Sequence, residues 1–227
     1  MHLEKGQLSL ASADGYRATV ERLPVDYAGE KEDLTLPGDA VKKLLRGHKD
    51  AEVGITLPSE RNSVTFTLPN IAVSSQLLEG RFPDYASIIP RSYVTKAIFY
   101  ANDMRIALQR AEVFAKDNAN SCTLSITPAF NPGEPTLLTL SAKSPEQGQT
   151  EAMLDATAEG EKTAWSANYK FMLEAVESYR KDSERLVIHT NGPENPAIIR
   201  PEYYPERDGE VNAHNAGSIT VIMPMAK

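Results

Sequence analysis

The chain has 227 residues, 41% of them hydrophobic and 24% charged, with a formal net charge of -7; that balance excludes a disordered segment and allows one large domain or two ordinary ones. No apolar run approaches the roughly 18 residues of a membrane span, which leaves no membrane partner, and MHLEKGQLSL has neither signal- nor transit-peptide character. A lone cysteine, Cys122, excludes an intramolecular disulfide framework and fits a reducing compartment, so a cytoplasmic location is expected.

Hydrophobic alternation predicts strands over MHLEK, QLSLASA and YRATVERLP, then a fourth over DLTLP (33–37). GDAVKKLLRG (38–47) groups Ala40, Val41, Leu44 and Leu45 on one face and predicts a short helix. EVGITLP, SVTFTLP and NIAVSSQ alternate as three further strands. LLEGRFPDYASIIP (77–90) then combines the Gly and Pro of a connector with Leu77, Phe82, Tyr85 and Ile89, so it must lie against something apolar; packing along a domain boundary is expected. VTKAIFY (94–100) predicts a strand, and Asn102 or Asp103 is placed to cap the next helix, whose Met104, Ala107, Leu108, Ala111 and Phe114 recur at helical spacing. SCTLSIT, TLLTLSA and TEAMLDATA (150–158) follow as strands, then KTAWSAN, a helix over NYKFMLEAVESY with Phe171, Ala175, Val176 and Tyr179 inward, and the strands ERLVIHT, PAIIR and SITVIMPM.

Residues 94–227 therefore contain the order β-α-β-β-β twice, and the first part of the chain shows the same unit once, preceded by the β-β-β end of another. The opening strand and helix of that first unit are missing, as in a shortened chain. The fold class is α+β: repeated β-α-β-β-β units, with two helices packed on antiparallel sheets in each domain. The domains are expected at 1–90, truncated at its N-terminus, and 91–227.

Four stretches, in order, resemble the bacterial sliding clamp family, the beta subunit of DNA polymerase III: ASADGYRATV (11–20), LLEGRFPDYASIIP, NYKFMLEAV (168–176) and the terminal ITVIMPMAK. The resemblance implies the DNA clamp fold and a non-catalytic processivity factor without cofactor or metal. It also implies a full-length form that closes as a homodimer ring, joining first to last domain. Here the last domain and most of the middle one are represented, so this chain is not expected to close such a ring alone. Its implied partners are double-stranded DNA, held without sequence preference through the backbone, and polymerase and clamp-loader subunits docking through short linear motifs. A stand-alone peptide-binding module that never encircles DNA is the alternative.

The resemblance places a hydrophobic peptide pocket at Gly15, Tyr16, Arg17 and Ala18, with Pro90, Asn168 and Phe171, and Val221, Ile222, Met223, Pro224 and Met225. Ala18 stands where the family commonly has Leu, and Ala226 and Lys227 depart from the usual ending. It implies a DNA-facing wall made of Lys42, Lys43 and Arg46, then Arg105, Arg110 and Lys116, then Lys170, Arg180 and Lys181. Acids gathered in GEKED and PEYYPERDGE would reconcile the negative net charge with DNA, although Asp39 opens the first helix where a cation would suit better.

No catalytic frame is evident. His2, His48, His189 and His214 lack metal-ligand spacing, and Glu202, Glu206, Asp208 and Glu210 lack the spacing and Gly of a calcium loop. Cys122 and Trp165, each on a predicted strand, are read as core.

Overall fold

The computed structural model describes residues 1–45, 51–58, 62–129, 136–202 and 217–225, and of Leu44 and Leu45 the backbone alone. Arg46, His48, Glu206, Asp208, Glu210, His214, Ala226 and Lys227 lie outside the described residues. The chain divides into two compact units, Met1–Leu10 with Leu23–Asp84, and Ala11–Arg22 with Tyr85–Lys227.

The first unit contains β1 (His2–Glu4), most of β2 (Gln7–Ala13), the end of β3 (Arg17–Pro24), β4 (Glu32–Asp33), α1 (Gly38–Leu45), β5 (Gly54–Thr56), β6 (Ser63–Leu68) and β7 (Ile71–Gln76). β1 pairs antiparallel with both β2 and β4, and β6 lies between β5 and β7. Alternation in β6 buries Val64, Phe66 and Leu68, while Leu3, Leu8 and Leu34 form a second cluster; half-buried Met1, Ile55, Leu57 and Leu77 touch both. The strand predicted over 33–37 is shorter than its pattern because the chain turns into α1 at Pro37, whose carbonyl accepts from Ala40 N–H at 3.0 Å.

In the second unit a 3-10 turn (Tyr85–Ile88) leads to β8 (Thr95–Tyr100), α2 (Ala101–Ala115), β9 (Ser121–Thr127), β10 (Leu137–Ser144), β11 (Gly148–Leu154) and β12 (Ala156–Gly160). β13 (Thr163–Asn168), α3 (Tyr169–Tyr179), β14 (Arg185–Thr190), β15 (Ala197–Pro201) and β16 (Ser218–Ile222) follow. One sheet has the order β11-β10-β9-β13; the other runs β12-β8-β14-β15-β16-β3. All pairs are antiparallel. TEAMLDATA is thus two strands: the chain changes sheets at Asp155, β11 pairing with β10 and β12 with β8. Gly160 closes that crossing at φ +95°, where an added Cβ would lie 1.8 Å from the Val94 carbonyl oxygen.

One core lies beneath both helices. α2 contributes Met104, Ala107, Leu108, Ala111 and Ala115, α3 contributes Tyr169, Met172, Ala175, Val176 and Tyr179, and the sheets contribute Phe99, Leu124, Leu140, Trp165 and Ile222. Arg105 reaches Glu177 while Glu112 reaches Tyr169 and Lys170, so the two helices run antiparallel. One local expectation is corrected. The cap position of α2 is Tyr100, with no side-chain hydrogen bond, because the helix already begins at Ala101; Asn102 and Asp103 lie within its first turn, where Asn102 Oδ1 accepts from the Arg105 guanidinium at 3.0 Å. Phe171 is half-buried against this core, as its place in the α3 pattern predicts, and it also lies beneath Tyr16 and Arg17.

The oily connector is shared out between the two interiors. Leu77 joins the clusters of the first unit, whereas Tyr85 and Ile89 pack in the second with Val20, Ile198, Ile219 and Val221. Cys122 and Trp165 are core residues: the indole N–H donates to Asn195 O at 3.1 Å, and burial pushes the Cys122 thiol up to about 12. Thiolate is the reacting species. Native protein at pH 8 should therefore leave a chromogenic disulfide reagent unreacted until denaturant is added. Rapid stoichiometric labelling of folded protein would contradict the core placement.

Candidate functional site

β2 and β3 meet in a tight turn over ADGYR. Gly15 takes φ +85°, the left-handed region that glycine enters without strain. Asp14 makes the turn: its Oδ1 accepts from the N–H groups of Tyr16 and Arg17, both at 3.1 Å, and its Oδ2 from Arg17 Nε at 3.0 Å. Burial pushes the Asp14 carboxyl up, but the hydrogen bonds from Tyr16 and Arg17 outweigh it and hold the group below its ordinary range.

That turn presents Tyr16, 66% exposed, to the start of α3. Its ring stacks on Phe171 with centroids 6.4 Å apart and planes inclined by 27°, and the Arg17 guanidinium lies 4.5 Å above the centre of the Phe171 ring. Asn168 sets the start of the helix, its Oδ1 accepting from Lys170 N–H at 3.0 Å. Beyond β16, Met223 N–H donates to Tyr16 O at 2.8 Å and Met225 N–H to Ser166 O at 2.9 Å. These bonds anchor the terminal segment; Met223 is 36% exposed, and Pro224 and Met225 are half-buried.

The remaining expected pocket residues divide between the two faces of the β3–β16 pair. Ala18 lies opposite Val221, and both are buried; Val221 belongs to the cluster containing Ile89, next to half-buried Pro90. Arg17, Thr19, Thr220 and Ile222 alternate onto the other face, where Thr220 bonds Tyr179 Oη at 2.8 Å and Ile222 enters the core beneath α3. The structure therefore brings Gly15, Tyr16, Arg17, Asn168, Phe171 and Met223 together around one end of α3. It puts Ala18, Val221 and Ile222 inside, where they hold up the strands.

On the α3 side lies a cavity of about 300 Å³ that the sequence reading missed, lined by Ser12, Asp14, Arg17, Thr19, Phe171, Glu174, Ser178 and Thr220 among others. Glu174 Oε2 accepts from Arg17 Nη1 at 2.5 Å. Burial alone would lower the Arg17 pKa; the bonds to Glu174 and Asp14 reverse that and raise it. The signal was present in the sequence, since Phe171, Glu174 and Ser178 fall on one helical face and Arg17 and Thr19 on one strand face.

The described candidates for the DNA-facing wall lie on α1, α2 and α3 or just past their C-terminal ends, several of them beside carboxylates. Lys42 is 3.6 Å from Asp39, Arg105 4.0 Å from Glu177 and Lys116 2.6 Å from Glu112, and Arg180 also bonds Glu177. The side-chain hydrogen bond between Lys116 and Glu112 raises the amine and lowers the carboxyl. Lys43, Arg110, Lys170 and Lys181 are exposed, with no carboxylate within 4.0 Å among the described residues. No cluster of His, Cys, Asp and Glu suited to a metal occurs among the described residues. His189 is buried, with Arg200 Nε 3.2 Å from its Nε2 and the tilted Tyr93 ring at 4.3 Å between centroids.

Residues 1–84 match the DNA polymerase III beta subunit, central domain, and residues 86–209 match the DNA polymerase III beta subunit, C-terminal domain. The beta sliding clamps of Staphylococcus aureus (strain Mu50) and Staphylococcus epidermidis are each 27% identical over 201 residues, 88% of this chain and 51% of theirs. The chain thus spans about half the length of the curated relatives it matches. Among solved structures, the sliding clamp of Bacillus subtilis superposes with a TM-score of 0.84 at 23% identity, covering 100% of this chain and 55% of that one. A clamp from Pseudomonas aeruginosa gives 0.85 at 20%, covering 100% and 57%. These likenesses establish the DNA clamp fold, and with both family models spanning most of its length, the chain belongs to the DNA polymerase III beta subunit family.

Proposed function

We propose that this chain is a non-catalytic clamp module that docks short linear motifs of replication proteins, and that its helices face DNA when it is part of a ring. Family membership supports the processivity role. The observation that carries the docking reading is the stack of exposed Tyr16 on half-buried Phe171, with exposed Met223 fastened by its backbone N–H to the Tyr16 carbonyl: an aromatic and a Met presented on a surface fixed by backbone hydrogen bonds. Such surfaces accept apolar peptide anchors, and Met adapts to their shape. Ala18 and Val221 support the docking surface from the opposite strand face. Polymerase and clamp-loader subunits are the proposed motif carriers, and the cytoplasm is the proposed compartment.

The DNA contact of the isolated chain should be weak and salt-sensitive. Four of the eight described candidate cations already face a carboxylate within 4.0 Å. If Arg110, Lys170 and Lys181 are the phosphate contacts of the second unit, log K should fall by about 3 per log unit of salt, at about 0.9 per phosphate. Duplex titrations between 50 and 300 mM salt measure this slope, while a labelled Gln-Leu-Ser-Leu-Phe peptide should bind at micromolar strength, near -8 kcal/mol. Tight, sequence-selective duplex binding that persists in high salt, or no peptide binding at millimolar protein, would overturn the reading.

A further inference from the structure

The α3-side cavity has a chemistry different from that of an apolar docking surface. Two carboxylates, Asp14 and Glu174, meet a single guanidinium, Arg17, leaving one negative charge in excess. Asp14 is fully engaged: Oδ1 takes the two turn N–H groups and Oδ2 takes Arg17 Nε. Glu174 is not, since only Oε2 is bonded to Arg17 and its side chain is 64% exposed. The walls add hydroxyls from Ser12, Thr19, Ser178 and Thr220. Thr19 and Thr220 hold each other at 3.1 Å, Thr220 also bonds Tyr179 Oη at 2.8 Å, and Ser178 Oγ donates to Ala175 O at 2.8 Å, so the Thr19 and Ser178 oxygens retain accepting capacity. A surplus carboxylate ringed by hydroxyl acceptors suits an ammonium or guanidinium group and repels phosphate, which separates this cavity from any DNA contact. Its volume, at the lower end of ligand pockets, suits one long side chain with water.

We infer that this cavity receives a lysine or arginine side chain of the docked peptide, adjacent to the peptide's apolar anchor, with Glu174 as the residue that selects it. The inference rests on the docking reading above and extends it: Phe171 and Arg17 belong both to the cavity wall and to the aromatic stack, so a residue flanking an anchor at Tyr16 reaches the cavity. The selectivity is electrostatic and partly solvent-exposed. It should therefore be modest and should fade with salt.

The test is fluorescence anisotropy with Gln-Leu-Ser-Leu-Phe peptides extended at either end by Ala, Lys or Glu. Lys at one end should tighten binding about threefold over Ala at low salt, and Glu should weaken it. The preference should disappear in about 0.5 M salt and in Glu174→Gln. Equal affinity of the Lys and Ala peptides at both ends, or a Lys preference that survives Glu174→Gln, would overturn the assignment. Should the Ala-extended peptides fail to bind, the docking reading falls, and the cavity is then judged separately by NMR titration with N-acetyl-lysine amide. Shifts at the amides of Arg17, Thr19, Ser178 and Thr220, absent with N-acetyl-glutamine amide, support the cation site; identical responses to both probes overturn it.

Discussion

Trp165→Ala should lower the unfolding free energy of the second unit by about 3–5 kcal/mol, the range for emptying a large aromatic site in a packed core. Trp165 is fully buried, sits on β13 opposite Leu124 and joins one cluster with residues of both helices and both sheets. Removing it withdraws the apolar contact that several elements share and leaves the Asn195 carbonyl without its indole donor. At roughly 2–4 °C per kcal/mol for a domain of this size, the corresponding calorimetric transition should fall by about 10 °C. The two units give no reason for a single transition, so the expected signature is one displaced transition. A loss below about 1 kcal/mol would show that Trp165 does not organise this core.

Tyr16→Ala and Phe171→Ala should each weaken peptide docking by about 1–2 kcal/mol, five- to thirtyfold, as truncated interface anchors do. Their effects should not add. The two rings stack, so deleting either one removes the surface that orients the other, and the double variant should fall short of the sum. Phe171→Ala also removes the ring beneath the Arg17 guanidinium. A double-mutant cycle by anisotropy measures the coupling; strict additivity would mean that the rings act in separate places.

Much of this arrangement was legible in the residues because two periodicities do most of the encoding. Met104, Ala107, Leu108 and Ala111 at helical spacing and the alternation of Val64, Phe66 and Leu68 both mark buried faces correctly. The repeat of β-α-β-β-β fixed the order of elements before any pairing was known. What escaped was decided by contacts distant in sequence. Nothing within TEAMLDATA announces that the chain changes sheets at Asp155, because β10 and β8 make that choice. Phe171 packs against the core as the α3 pattern predicts, but that it also carries Tyr16 and Arg17 depends on residues more than a hundred positions earlier. The division of Ala18 from Arg17 follows from strand alternation, but which face meets α3 depends on β16 lying beside β3. The cavity was missed for the same reason: its helical and strand residues are separately readable, and only the fold sets them against each other.

The most direct measurement compares Met223→Ala with Lys42→Ala in the same anisotropy titration of the labelled Gln-Leu-Ser-Leu-Phe peptide. Met223 is held at Tyr16 by its backbone N–H, whereas Lys42 stands exposed on α1 beside Asp39. The account predicts that Met223→Ala weakens the peptide about five- to thirtyfold, the effect of losing an apolar anchor, while Lys42→Ala leaves it unchanged. Equal weakening by the two substitutions, or none by Met223→Ala, would contradict the claim that this surface is where clients dock.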